Sequence, residues 1–137
     1  MPRFLHTADW QIGRQYASFA PDDAVALAEA RISVIERIAG LATEETVDAV
    51  LVAGDVFDAQ TVSDRTIRRL FNAMAAYTGP WILISGNHDA ALAESVWTRA
   101  QRLEAVPANA HLALTPEVME FGDAGFAILP APLTQRH

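Results

Sequence analysis

A chain of 137 residues is long enough to bury a core and short enough to form one domain. Half of it is apolar and a fifth charged, the balance of an ordinary globular protein, and the absence of cysteine excludes disulfides and thiolate metal sites. The formal charge of −7 argues against a surface that holds nucleic acid unaided, because neutralising phosphates takes clustered Lys and Arg. No apolar run approaches the roughly 18 residues of a membrane helix. Arg3, His6 and Asp9 interrupt any secretory pattern at the amino terminus, so a cytoplasmic protein is expected.

Arg3 to Ala8 reads as a short strand that gives way to Asp9-Trp10-Gln11, with Gly13 as a turn signal. Tyr16 to Ala20 is expected to be loop. Pro21-Asp22-Asp23 starts a helix, since Pro suits the first turn and acids suit its positive end. Val25, Ala28, Ile32, Ile35 and Ala39 recur at helical spacing, and Leu27, Val34, Ile38 and Leu41 add a second row. The spacing predicts a helix to about Thr43 with a wide buried face. Ala49 to Ala53 is a continuous apolar run, as in a strand covered on both faces; it stops at Gly54 and presents Asp55.

Thr61 to Asp64 offers caps for a second helix, with Ile67, Leu70, Phe71 and Met74 in one stripe and Arg65, Arg68 and Arg69 opposite, stopped by Gly79-Pro80. Trp81 to Ser85 is another apolar strand that breaks at a glycine, in Gly86-Asn87-His88-Asp89. A third helix is expected over Ala93 to Ala105, and short strands over His111–Leu114, Glu117–Phe121 and Phe126–Leu129. Strand and helix alternating three times predicts an α/β fold: a parallel sheet flanked by helices, followed by the start of a second sheet. Nothing after Pro130 and Pro132 could cover that second sheet, so the chain reads as stopping inside a larger fold.

In a parallel sheet the carboxyl ends of the strands share one edge, where open α/β sheets place their ligands. Asp9 and Gln11, then Asp55 and Asp58, then Asn87, His88 and Asp89 can therefore converge from distant parts of the chain. Carboxylates, amide oxygens and imidazole suit hard to borderline divalent cations. A carboxylate on the central strand can bridge two cations about 3.5–4 Å apart, an arrangement that clamps a phosphoryl group for in-line attack.

Asp9-x-Gln11, Gly54-Asp55-x-x-Asp58 and Gly86-Asn87-His88-Asp89, in this order and strand context, resemble the calcineurin-like metallophosphoesterases. His6-Thr7-Ala8-Asp9-Trp10-Gln11-Ile12-Gly13 and Gly-Asp-Val-Phe-Asp look most like the SbcD-type nuclease subunits, which partner SMC-like ATPases in double-strand-break repair. The resemblance covers nearly the whole chain. It implies that residues 1–137 are the amino-terminal portion of one domain, a four-layer αββα sandwich cut short. It also implies that Asp9 binds the first metal, Asp55 bridges, Asn87 binds the second, and His88 serves the leaving group or the transition state. The implied cofactors are two divalent ions, manganese first, with magnesium, iron or zinc as alternatives. DNA is the implied substrate, and self-association into a homodimer is a further option. The rival readings are a phosphoesterase for small nucleotides or phosphoproteins and a non-catalytic interaction domain.

Gln11 stands where the family usually has His, and can be a weak amide ligand or a plain loop residue. The later Gly-His and Gly-His-x-His motifs of the family are not in this sequence, which favours a fragment over a degenerate copy and predicts weak or no catalysis by these residues alone. Asp58 is read as ordering its loop and Asp89 as orienting His88. His6 is read as a satisfied strand histidine, and His111 and His137 as surface or tail residues. Trp10, Trp81 and Trp97 are read as core, and Arg65, Arg68 and Arg69 as a solvated face ahead of a phosphate-contacting one.

Overall fold

The computed structural model describes residues 1–92 and 94–135. The described residues form strands β1 (Phe4–Thr7), β2 (Ala49–Ala53), β3 (Trp81–Ile84), β4 (Ala110–Ala113), β5 (Met119–Phe121) and β6 (Phe126–Ile128). Helices α1 (Pro21–Glu44), α2 (Asp64–Ala73) and α3 (Val96–Arg102) link the first four strands in turn. These four strands make one parallel sheet in the order β1-β2-β3-β4, and β5 and β6 pair antiparallel as a second, two-stranded sheet.

The apolar runs of β2 and β3 are explained by burial on both faces. Val50, Val52, Trp81 and Leu83 point into a core shared with Ile32, Ile35, Ile67, Leu70 and Trp97 from the helices. Ala49, Ile82 and Ala113 point to the opposite face, where Met119, Phe121, Phe126 and Ile128 of the small sheet pack against them. On that face a run of rings crosses the parallel sheet from edge to edge. Phe4 meets Phe126 at 4.9 Å, Phe126 stacks on Phe121 at 4.8 Å, and Phe121 meets His111 at 5.1 Å. His111 on β4 is thus half-buried against an aromatic ring, where a surface or tail residue was expected.

Several expectations need correction. Of the three closing strands, the first joins the parallel sheet, Trp81 lying opposite Ala110 and Ile84 opposite Ala113. The wide buried face of α1 narrows to Ile32, Ile35, Ala39 and Ala42, while Val25, Val34 and Leu41 are exposed. Helix α2 ends at Ala73 with Met74 as its cap, before Gly79-Pro80, and a turn fills the gap. Helix α3 is shorter than the apolar pattern suggests. Ser95 and Thr98 form a reciprocal capping box that fixes its start at Val96; Ala93, the expected start, lies outside the described residues, as does His137. His6 sits on edge strand β1 with its side chain exposed.

Candidate functional site

The loops after β1 and β2 run side by side beyond the sheet. The Asp9 N–H donates to the Gly54 carbonyl at 3.0 Å, the Gln11 N–H to Asp55 O at 2.9 Å and the Ile12 N–H to Val56 O at 2.9 Å. The Asp58 N–H returns a bond to Ile12 O at 3.0 Å. Asp9, Gln11 and Asp55 all adopt left-handed backbone, with φ of 57°, 48° and 51°. Non-glycine residues are uncommon there, and such positions gather at sites where the surrounding bonds over-determine the chain. The run of cross-loop bonds supplies that constraint here.

The loop after β3 closes on the same place. Gly54, at φ +91°, lies so near Gly86 that an added Cβ would come within 3.2 Å of the Gly86 Cα. A Cβ on Gly86 would fall 2.3 Å from Asp55 Oδ1 and 2.6 Å from its backbone nitrogen. The two glycines are therefore what lets the Asp55 carboxylate sit against the third loop. There Asp55 Oδ1 accepts the His88 N–H at 2.9 Å. His88 Nδ1 is shut off from solvent 3.4 Å from Asp55 Oδ2, in a geometry that makes no hydrogen bond.

Asp89 is fully buried and does not serve His88 as expected. Its Oδ1 accepts the Gly86 N–H at 2.7 Å and its Oδ2 the Phe57 N–H at 3.1 Å, so one carboxylate fastens the third loop to the second. Burial pushes the Asp89 carboxyl above the usual range, and those two backbone donors pull it part of the way back. Trp97 Nε1 donates to Asp89 O at 2.6 Å, which ties α3 to the same point. Nothing in the sequence distinguished this anchoring carboxylate from an orienting one; its place directly after Asn-His was the only cue.

Gln11 and its neighbours form a second cluster. The Gln11 Oε1 accepts from Arg14 at 3.2 Å, and the guanidinium groups of Arg14 and Arg31 lie 5.7 and 5.8 Å from the centroid of the Tyr16 ring. Arg31 also donates to the Tyr16 hydroxyl and, at 2.8 Å, to the Trp10 carbonyl. Trp10 is 6% exposed and packs edge-on against Trp81 at 5.9 Å, so it is core. Trp81 and Trp97 are fully buried as well. Arg69 is taken by a two-pronged pair with Glu29, while Arg65 and Arg68 make no ion pair among the described residues.

The structure thus places the loops of Asp9, Gln11, Asp55, Asn87 and His88 on one edge of the sheet. Among the described residues no three His, Cys, Asp or Glu side chains are grouped so as to hold a metal ion. The donors at hand are the Asp9 and Asp55 carboxylates and the Gln11 and Asn87 amides. In type they suit hard divalent cations.

Comparison with known proteins gives a consistent picture. Residues 2–131 match the sequence profile of the calcineurin-like phosphoesterases. The chain is 39% identical over 108 residues to the SbcD subunit of the SbcCD nuclease from Rhodobacter capsulatus, covering 75% of this chain and 23% of that protein. It is 33% identical over 90 residues to the Escherichia coli K12 protein of the same name, covering 64% and 21%. With the Bacillus subtilis protein of that name it shares 29% over 91 residues, covering 64% and 22%. The chain spans less than a quarter of the length of these relatives.

Proposed function

Because the chain belongs to the calcineurin-like phosphoesterase family, we propose that it carries part of a metal-dependent phosphodiesterase centre that cleaves DNA. The observation that carries this reading is the convergence of three strand-end loops on Asp55, whose carboxylate is held by the His88 N–H and given room by Gly86. Asp9 would hold one cation, Asp55 would bridge and Asn87 would hold the second. Gln11 would offer the lone pair of its amide oxygen that Arg14 does not use. Manganese is the first choice of metal. Four donors cannot fill two cation shells, so waters and groups outside these 137 residues would complete them.

When bound, two divalent cations supply polarisation of the scissile phosphate and activation of a water. The chain's own part is positional. Asp55 keeps one oxygen engaged with the His88 N–H, which sets that histidine's backbone. The half-exposed imidazole would give a proton to the departing oxygen or stabilise charge on it. The relatives' name, a subunit of a nuclease, supports a nucleic acid as substrate and a second subunit as partner; DNA as that nucleic acid, an SMC-like ATPase as that partner and action in DNA repair in the cytoplasm belong to the proposal. Among the described residues, no helix is long and apolar enough to cross a membrane.

Turnover by the full-length protein on DNA, bis(p-nitrophenyl) phosphate and cyclic nucleotides, with metal counted per chain after manganese loading, tests the proposal. Close to two metals with DNA cleavage is the expected result, and strong preference for a mononucleotide would overturn the nuclease reading. A second reading, a non-catalytic interaction domain, draws on the lack of three grouped His, Cys, Asp or Glu side chains among the described residues. Failure to bind metal would favour it.

A further inference from the structure

We propose that Arg14, held by Gln11 and by the face of Tyr16, is a ligand for a phosphate of the substrate. This rests on the phosphodiesterase reading above and assigns a residue that none of the three motifs contains. Arg14 is exposed, and in a chain of net charge −7 it makes no ion pair with any carboxylate among the described residues. Among the described residues its guanidinium makes one hydrogen bond, to the neutral Gln11 Oε1, so its full charge and most of its donors remain for an anion.

The side chain is also pre-positioned. Arg31 fixes Tyr16 through its hydroxyl and fixes the Trp10 carbonyl, and the Tyr16 ring in turn contacts both the Arg14 and the Arg31 guanidinium groups. Gly13 has φ +91°, and a Cβ there would meet Val62 Cγ1 at 2.3 Å, so the loop is pressed against the residues that precede α2. Arg14, Arg31 and Arg69 line one cleft of about 80 Å³ with Gly13 and Thr66. Of these three, Arg14 and Arg31 are without a carboxylate partner among the described residues. A cationic fork beside a site that would itself hold cations is electrostatically unfavourable unless an anion lies between them. A phosphodiester is an anion of that kind, and a guanidinium matches two of its oxygens.

Gln11 then acts as a positioning residue for Arg14 in addition to any bond it makes to metal. The test uses the full-length protein with EDTA present, measuring affinity for a fluorescent single-stranded oligonucleotide across a salt series, beside bis(p-nitrophenyl) phosphate hydrolysis with manganese. Arg14→Ala should weaken oligonucleotide binding about tenfold and flatten the slope of log affinity against log salt by about 0.7. Arg14→Lys should keep the slope and recover part of the affinity, and Gln11→Ala should weaken binding by a smaller factor at unchanged slope. Thermal midpoints within a few degrees of wild type establish that the variants are folded, and Arg14→Lys carries the test if Arg14→Ala is not. A wild type that hydrolyses the small ester, with Arg14 variants that match its affinity and slope, overturns this assignment alone. A wild type that neither binds oligonucleotide nor hydrolyses the ester overturns the assignment together with the phosphodiesterase reading.

Discussion

Removing the Asp89 carboxylate should loosen the whole centre, and the size of the effect can be worked from its bonds. Asp89→Ala strands the Gly86 and Phe57 N–H groups, which now donate at 2.7 and 3.1 Å to a fully buried carboxylate, the Phe57 bond buried and the Gly86 bond partly buried. A buried donor left without an acceptor costs about 1–3 kcal/mol, so the loss should be roughly 2–5 kcal/mol after partial relaxation. An unfolding entropy of about 2.1 cal/mol/K per residue converts this, for a chain of this length, into a fall in Tm of about 7–17 °C. Asp89→Asn keeps the shape and one acceptor but turns an NH2 toward the other donor, and should lose about half as much. Urea unfolding followed by circular dichroism, in EDTA, reads both variants. An Asp89→Ala protein within about 0.5 kcal/mol of wild type would refute the claim that this carboxylate fastens the two loops.

Other perturbations address the same loops. Gly86→Ala puts a methyl 2.3 Å from Asp55 Oδ1 and 2.6 Å from its nitrogen; because backbone must move, a loss of about 1–3 kcal/mol is expected in thermal unfolding. Asp55→Ala should abolish metal retention in the full-length protein, and elemental analysis that still found two ions per chain would remove Asp55 from the bridging position. His88→Ala should cut turnover by about 10²–10⁴ while metal content stays the same; metal loss in that variant would assign His88 to coordination.

The order of elements was legible because the apolar runs before Gly54 and Gly86 each end at a glycine and each helix carries its own stripe. Ile67, Leu70, Phe71 and Met74 are all buried, as their spacing predicts. What sequence could not provide was partnership. Val34 and Leu41 have the right period for burial yet face outward, because a sheet receives only one side of a helix and Ile35, Ala39 and Ala42 already occupy it. The strand at Ala110–Ala113 looks like any short apolar segment, and only its pairing with β3, far earlier in the chain, puts it in the first sheet. The same holds at the site. The three motifs could be found by type and order, while the anchoring by Asp89 and the stacking of Arg14 and Arg31 on Tyr16 depend on contacts between segments that no local pattern encodes.

The left-handed backbone at Asp9, Gln11 and Asp55 has a consequence for anyone seeking a sturdier variant. Glycine adopts that conformation without strain, so Gly at Asp9 or Gln11 would relieve about 1 kcal/mol locally, whereas at Asp55 the loss of the acceptor for the His88 N–H offsets the gain. A search guided by stability would therefore be drawn to the first two positions, and each success would delete a proposed ligand. Robustness and chemistry pull in opposite directions at the backbone angles of Asp9 and Gln11, so thermal selection on this protein should drift toward a tougher fold with a depleted centre.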